Sequence, residues 1–218
     1  VKNIAIYRKT IGTLFVLLSC LSTSVFAQTP NKAATSAKAE LQDILSDFSS
    51  FQATFSQLIT DAEGEELQRS SGNISLLTPN KIRWETSEPD ESLLIADGET
   101  VWNIDPFVEQ VTVMDQKALT DSNPLMLLVS DDNSQWERVS VSKNKSTFTV
   151  VSTDPEASIS QLDLVFVSGS LRSLTSYDRQ EQTSLLVFTD VKQNQEINDN
   201  TFGFSVPDTY IIDDQRTK

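Results

Sequence analysis

The chain of 218 residues has no histidine, and its one cysteine, Cys20, lies close to the amino terminus. Without histidine there is no Ser-His-Asp or Cys-His machinery, no imidazole switch near neutral pH and no ordinary histidine zinc site. Beyond residue 20 there is neither a thiol nucleophile nor a disulfide, so that part of the chain must be held together by its core. Glycine is scarce, six in all and none clustered, which leaves no phosphate-cradling loop and argues against nucleotide use. Bases are few, 17 Lys and Arg against 31 Asp and Glu. Beyond residue 27 they are scattered singly, which argues against a nucleic-acid surface, and the acidic excess disfavours adsorption to an anionic bilayer.

What is present begins with Lys2, Arg8 and Lys9 ahead of an apolar run over residues 11–21, followed by small residues and Ala27. This is the pattern of a secretory signal peptide, and the run is shorter than the roughly 20 residues of a membrane span. The expected organisation is a signal peptide over residues 1–27 and one domain over residues 28–218. That domain carries 14 bases against 31 acids, a net charge of −17. Leu17-Leu18-Ser19-Cys20 offers a competing reading as a lipobox with a diacylated Cys20. Val25-Phe26-Ala27 before Gln28 provides an ordinary cleavage site, and the expectation is an exported monomer without a stable membrane anchor.

From residue 37 to 49, Leu41, Ile44, Leu45 and Phe48 fall at i, i+3, i+4 and i+7, one stripe of an amphipathic helix. The period then changes from 3.6 to 2, with Phe51, Ala53 and Phe55 alternating against polar residues. Strands are predicted over 51–60, 67–77, 81–87, 92–96, 100–104, 109–114, 136–142, 147–152, 159–167, 171–178, 184–191 and 202–205. Turn signals such as Thr78-Pro79-Asn80, Asp97-Gly98 and Ser168-Gly169-Ser170 separate them, which indicates an antiparallel meander. Asn123-Pro124 carries helix-starting residues before the wholly apolar Leu125-Met126-Leu127-Leu128-Val129.

The predicted fold is mainly β with some α: an unclosed antiparallel half-barrel of about 11–12 strands under a helical lid. The inward set is Phe51, Phe55, Ile74, Ile82, Trp84, Leu94, Trp102, Ile104, Leu164, Phe166, Leu186 and Phe188. Periodicity leaves open whether the space they surround is filled or hollow. The acidic clusters lie at predicted turns without calcium-loop spacing, and a carboxylate pair for hydrolysis is a remote alternative. Neither a metal site nor a cofactor is indicated.

The block over residues 77–113 places Arg83-Trp84-Glu85, Asp97-Gly98 and Asp105-Pro106-Phe107-Val108-Glu109-Gln110 in one order and spacing. Together with residues 50–57, 123–128 and 213–216 it resembles the LolA family of periplasmic lipoprotein carriers. The resemblance implies no enzyme activity, an apolar cavity for acyl chains, cargo received from an inner-membrane ABC transporter, and delivery to the outer-membrane receptor LolB. A LolB-like receptor, or another lipid-binding or sensing module of the same fold, is the alternative.

On that resemblance Phe51, Phe55, Ile74, Trp84, Leu94, Trp102 and Ile104 line the cavity. Leu41, Ile44, Leu45, Phe48, Leu125, Met126, Leu127 and Leu128 form the lid, for which core packing is the competing reading. Thr78, Ile82 and Arg83 stand at the mouth, and Ile82 matches a position associated with transporter contact. The family pattern places an arginine where this chain has Thr78, which cannot fork to several carbonyls. Either closure is weaker here or another cation, Lys81 or Arg83, latches the lid. Asp213, Asp214, Gln215 and Arg216 are either a tail without a role or part of the segment that distinguishes carrier from receptor.

Overall fold

A computed structural model describes residues 32–117, 126–130 and 133–216, with side chains from residue 37 onward. The expected signal peptide, Asn123, Pro124 and Leu125 lie outside the described residues. Helix α1 (Lys32–Ser46) leads into β1 (Ser50–Thr60), β2 (Glu66–Leu77), β3 (Lys81–Glu88), β4 (Ser92–Ala96), β5 (Thr100–Asp105) and β6 (Gln110–Asp115). A four-residue helix α2 (Met126–Val129) and a 3-10 helix (Asn133–Arg138) precede β7 (Val139–Asn144) and β8 (Thr147–Ser152). Then come β9 (Ile159–Val167), β10 (Ser170–Asp178), β11 (Thr183–Gln193), a 3-10 helix (Asp199–Phe202) and β12 (Ile211–Asp214).

All the strands belong to one curved, unclosed sheet in the order β12-β6-β5-β4-β3-β2-β1-β11-β10-β9-β8-β7. β1 is the seam, because it pairs with β2 on one side and β11 on the other and so joins the two halves of the chain. Alternation along β1 buries Phe51, Ala53 and Phe55 on one face and leaves Thr54 and Ser56 exposed. Cross-strand neighbours carry the same face outward in both directions. Phe51 opposes Leu76, Ala53 opposes Ile74, and Phe55 opposes Phe188. The rings of Phe51 and Phe188 meet edge to face with centroids 5.2 Å apart.

Gly72 is the residue opposite Phe55 on β2, at a register shift between Ser71 and Gly72. A Cβ there would lie 1.9 Å from the carbonyl oxygen of Glu85. Only glycine lets β2 and β3 approach so closely, and the approach brings the Phe55 and Trp84 rings to 4.5 Å.

Two strand expectations are corrected. Residues 202–205 are not a strand: Asn198 accepts the amide of Asn200 and caps a 3-10 turn whose last residue, Phe202, is buried. The last strand is instead Ile211–Asp214, and it pairs in parallel with β6. Trp136, expected to open a strand, lies in the 3-10 helix, and β7 starts at Val139. Helix α1 begins earlier than expected, at Lys32, and ends at Ser46, so Phe48 lies just beyond it.

Candidate functional site: an apolar trough under two flaps

The inner face of the sheet forms one continuous apolar cluster. Phe51, Phe55, Ile74, Ile82, Leu164, Phe166, Leu186 and Phe188 belong to it, with Trp84 and Leu94 half-buried at its border. Two short elements lie over this trough. Leu41 and Phe48 of the first flap are buried in the cluster, and Ile44 and Leu45 pack against it. Met126 and Leu128 of the second flap are 2% exposed, while Leu127 is only partly covered. Phe51, Ile82 and Leu41 have no surface a water molecule could touch. Around them pack the other buried side chains of the same apolar cluster.

Polar contacts among the described residues hold the flaps at more than one point. Midway along α1, the Lys38 ammonium donates to the carbonyls of Trp136 and Val139, and Glu40 pairs with Lys143. These fasten the helix to β7, the sheet edge remote from β12. Just past the end of α1 the Thr78 N–H donates to Ser49 O at 2.9 Å, and the Thr78 hydroxyl donates to Phe48 O at 2.7 Å. The second flap is tied to the same turn, because Asn80 N–H donates to Val129 O at 2.9 Å. A single β2–β3 turn therefore holds both flaps.

Several expected site residues are placed elsewhere. Trp102 and Ile104 are not in the trough. They lie on the outer face of β5 in a second cluster with Val111, Val113, Phe204, Val206 and Tyr210. On β5 it is Val101, opposite Ala96, that faces inward. Arg83 is not at the mouth either. It alternates with Ile82 and Trp84, and on the outer face it donates to Thr201 O at 3.4 Å and neighbours Glu85. Lys81 pairs there with Asp199 at 3.1 Å. Among the described residues, neither cation reaches a flap. Ile82, expected as a partner contact, is fully buried in the closed state.

Two residues of the site went unnoticed in the sequence. Gln116, 4% exposed, donates from Nε2 to Asn80 O at 2.5 Å and accepts the Gly98 amide at 2.7 Å. Asn80 takes a left-handed backbone, φ 61°, and its place after Thr78-Pro79 was the only available signal. A polar crevice of about 810 Å³ lies where the first flap joins β1, lined by Ser49, Ser50, Leu77 and residues 194–199. It is separate from the apolar trough.

Tyr177 is pushed above its ordinary value by burial, reinforced by the Asp163 carboxylate that its hydroxyl approaches at 3.3 Å. Among the described residues no three potential metal ligands come together, and no helix is long and apolar enough to cross a membrane.

Residues 46–205 match the family described as "Outer membrane lipoprotein carrier protein LolA". The chain is 37% identical over 210 residues to an outer-membrane lipoprotein carrier protein of Pseudoalteromonas translucida (strain TAC 125), covering 95% of this chain and 98% of that protein. To the carrier protein of Shewanella sediminis (strain HAW-EB3) it is 34% identical over 209 residues, covering 96% and 97%. In fold it is similar to an uncharacterized conserved protein from Thermus thermophilus, with a TM-score of 0.51 at 11% identity, over 81% of this chain and 99% of that one.

Proposed function

Since this chain belongs to the LolA family of outer-membrane lipoprotein carrier proteins, we propose that it carries lipoproteins by exchanging its own flap side chains for the acyl chains of the cargo. The observation that carries this reading is the covered trough: a contiguous apolar face, closed by two elements that are both tied to the 78–80 turn. Lifting the flaps uncovers that face without breaking a strand pair. Phe51, Phe55, Ile74, Trp84 and Leu94 are then the surface on which acyl chains lie. Leu41, Ile44, Leu45, Phe48, Met126, Leu127 and Leu128 close over the cargo or, without it, over the trough.

The energetics suit a shuttle. Each methylene of a lipid tail gains about 0.8 kcal/mol on leaving water. That gain is offset here by the apolar contacts the flaps give up, so the net affinity is moderate and the cargo can leave. Met126 is apt for a surface that must repack around different chains. No covalent step is needed; transfer runs toward whichever site holds the acyl chains more tightly.

In this reading residues 28–218 work in the periplasm as the mature protein. Cargo comes from an inner-membrane ABC transporter and passes to the receptor LolB, the partners the family resemblance implies. Ile82 becomes available to a partner only when the flaps are raised. The test is release: the protein is added to spheroplasts of a Gram-negative host depleted of its own carrier. One outer-membrane lipoprotein per chain, recovered in soluble complex, is the expected result. An empty supernatant, with the protein otherwise folded, overturns the proposal.

A further inference from the structure

We propose that Gln116 is a positioning residue for closure. It holds the β2–β3 turn from the neighbouring β4–β5 turn, so that the Asn80 amide is aimed at the second flap. The inference rests on the carrier reading above, in which the flaps open and close over the trough.

Gln116 directly follows β6, and its main chain is fixed there, its N–H donating to Glu99 O at 2.9 Å. The buried side-chain amide spans the gap between two turns. Its oxygen accepts Gly98 N–H at 2.7 Å, and its nitrogen donates to Asn80 O at 2.5 Å. The peptide that contains Asn80 O and the one that contains Asn80 N are consecutive, and the latter donates to Val129 O. A path of hydrogen bonds therefore runs from the β4–β5 turn through Gln116 and Asn80 to the carboxyl end of α2. Asn80 needs such support, because a left-handed backbone at a residue other than glycine is sparsely populated unless its surroundings hold it.

The same path accounts for Thr78. The arginine that the family resemblance leads one to expect there is absent, and the two nearby cations are engaged on the outer face with Asp199 and Thr201. Among the described residues, the β2–β3 turn contributes neutral donors to both flaps, beside the Lys38 and Glu40 contacts at β7. Thr78 holds the end of the first flap, and Asn80, steadied by Gln116, holds the second. The substitute for the missing guanidinium is thus an amide some 38 residues downstream, which no local inspection of the 78–83 segment would reveal.

Amide hydrogen exchange resolved by NMR tests this directly, because each arm of the Gln116 side chain governs a different amide. In the unmutated protein, Asn80 and Gly98 are expected to exchange through an opening that leaves Leu164, in the middle of β9, protected. Gln116→Met keeps the length of the side chain and removes both arms. The protection of Asn80 and Gly98 should fall roughly tenfold, the worth of one buried hydrogen bond, with Leu164 unchanged. Gln116→Glu, measured at pH 8, retains an acceptor for Gly98 and loses the donor to Asn80, so Asn80 alone should open faster. Unchanged protection at Asn80, or equal acceleration of Asn80 and Leu164 in both variants, overturns the proposal. Uptake of the fluorescent lipid 12-(9-anthroyloxy)stearate, followed in parallel, separates the two claims. If Asn80 responds as expected but neither wild type nor variant takes up the lipid, the positioning role stands and the carrier reading fails.

Discussion

The hydroxyl of Thr78 donates to the carbonyl of Phe48 at 2.7 Å, so the last turn of the first flap is fastened by the residue that follows β2. Phe48 in turn stacks on Phe51 with centroids 5.7 Å apart, at the base of the trough. One neutral hydrogen bond thereby couples the β2–β3 turn to the ring that caps the apolar interior.

Replacing that hydroxyl at constant shape measures the coupling. Thr78→Val should cost about 1 kcal/mol in urea unfolding, and because Phe48 O is left without its donor the loss falls on the closed state. A change of that size corresponds to a roughly fivefold shift in an opening equilibrium. Uptake of anthroyloxystearate should therefore become several-fold faster, as read by stopped-flow fluorescence.

The contrast between interior and surface rings predicts a large difference between two similar-looking truncations. Phe51 is fully buried and touches both Phe48 and Phe188. Phe51→Ala should destabilise by about 3–5 kcal/mol. Phe107, 91% exposed in the β5–β6 turn, has no packing to lose, and Phe107→Ser should change stability by less than about 0.5 kcal/mol. Paired denaturation curves decide the point.

Most of the architecture was legible because a half-barrel with one wet face writes period 2 into its strands. The inner positions of β1, β2, β3, β9 and β11 were read from alternation alone, and α1 from its stripe. The reading failed at β5 because the alternation there sets apolar Trp102 and Ile104 against polar Asn103 and Asp105, and it is the apolar pair that turns to the outer face. Val101 and Ile104 are both buried, and the segment around Phe204, Val206 and Tyr210 covers the outer side. Period 2 shows which residues share a face but not which face a second cluster covers, so Trp102 and Ile104 looked inward when it is Val101 that faces in. The final strand was missed for a related reason: Phe202 and Phe204 supply a short alternation that serves outer-face packing. The role of Gln116 was illegible in principle, since it depends on two turns that only the folded sheet brings together.

Glycine at position 72 is required by space rather than by conformation. A methyl group at Gly72 would sit 1.9 Å from Glu85 O, a backbone atom that cannot step aside. Gly72→Ala must therefore separate β2 from β3 and should cost more than about 2 kcal/mol. Gly64, at φ 84°, has open space around it, and Gly64→Ala should cost only the conformational penalty, about 1 kcal/mol. The order of the two melting temperatures tests the assignment.

Tyr177 gives the pH dependence a sign. Its folded-state value lies above the ordinary tyrosine value of about 10, so the folded protein holds the phenolic proton more tightly than the unfolded chain. The resulting stabilisation is complete below pH 10 and is lost as pH rises from there through the folded value. Tyr177→Phe should remove that alkaline loss while leaving the acid limb alone. Urea midpoints between pH 9 and 11 for the two proteins provide the check.

The relocation of Trp102 makes the three tryptophans a test of where acyl chains lie. Trp84 borders the trough beside Phe55, Trp136 packs at the margin of the main cluster, and Trp102 lies on the outer face among residues of the second cluster. Two proteins that each retain one tryptophan, with the others changed to phenylalanine, report the two faces separately. A brominated fatty acid quenches indole fluorescence only on near contact. It should quench Trp84 strongly on binding and leave Trp102 close to its starting intensity. Truncation should sort the same way: Trp84→Ala should weaken uptake of the lipid, whereas Trp102→Ala should loosen the 199–210 segment at little cost to uptake. Strong quenching of Trp102 would put the lipid on the outer face, and the trough would then be no more than a folded core.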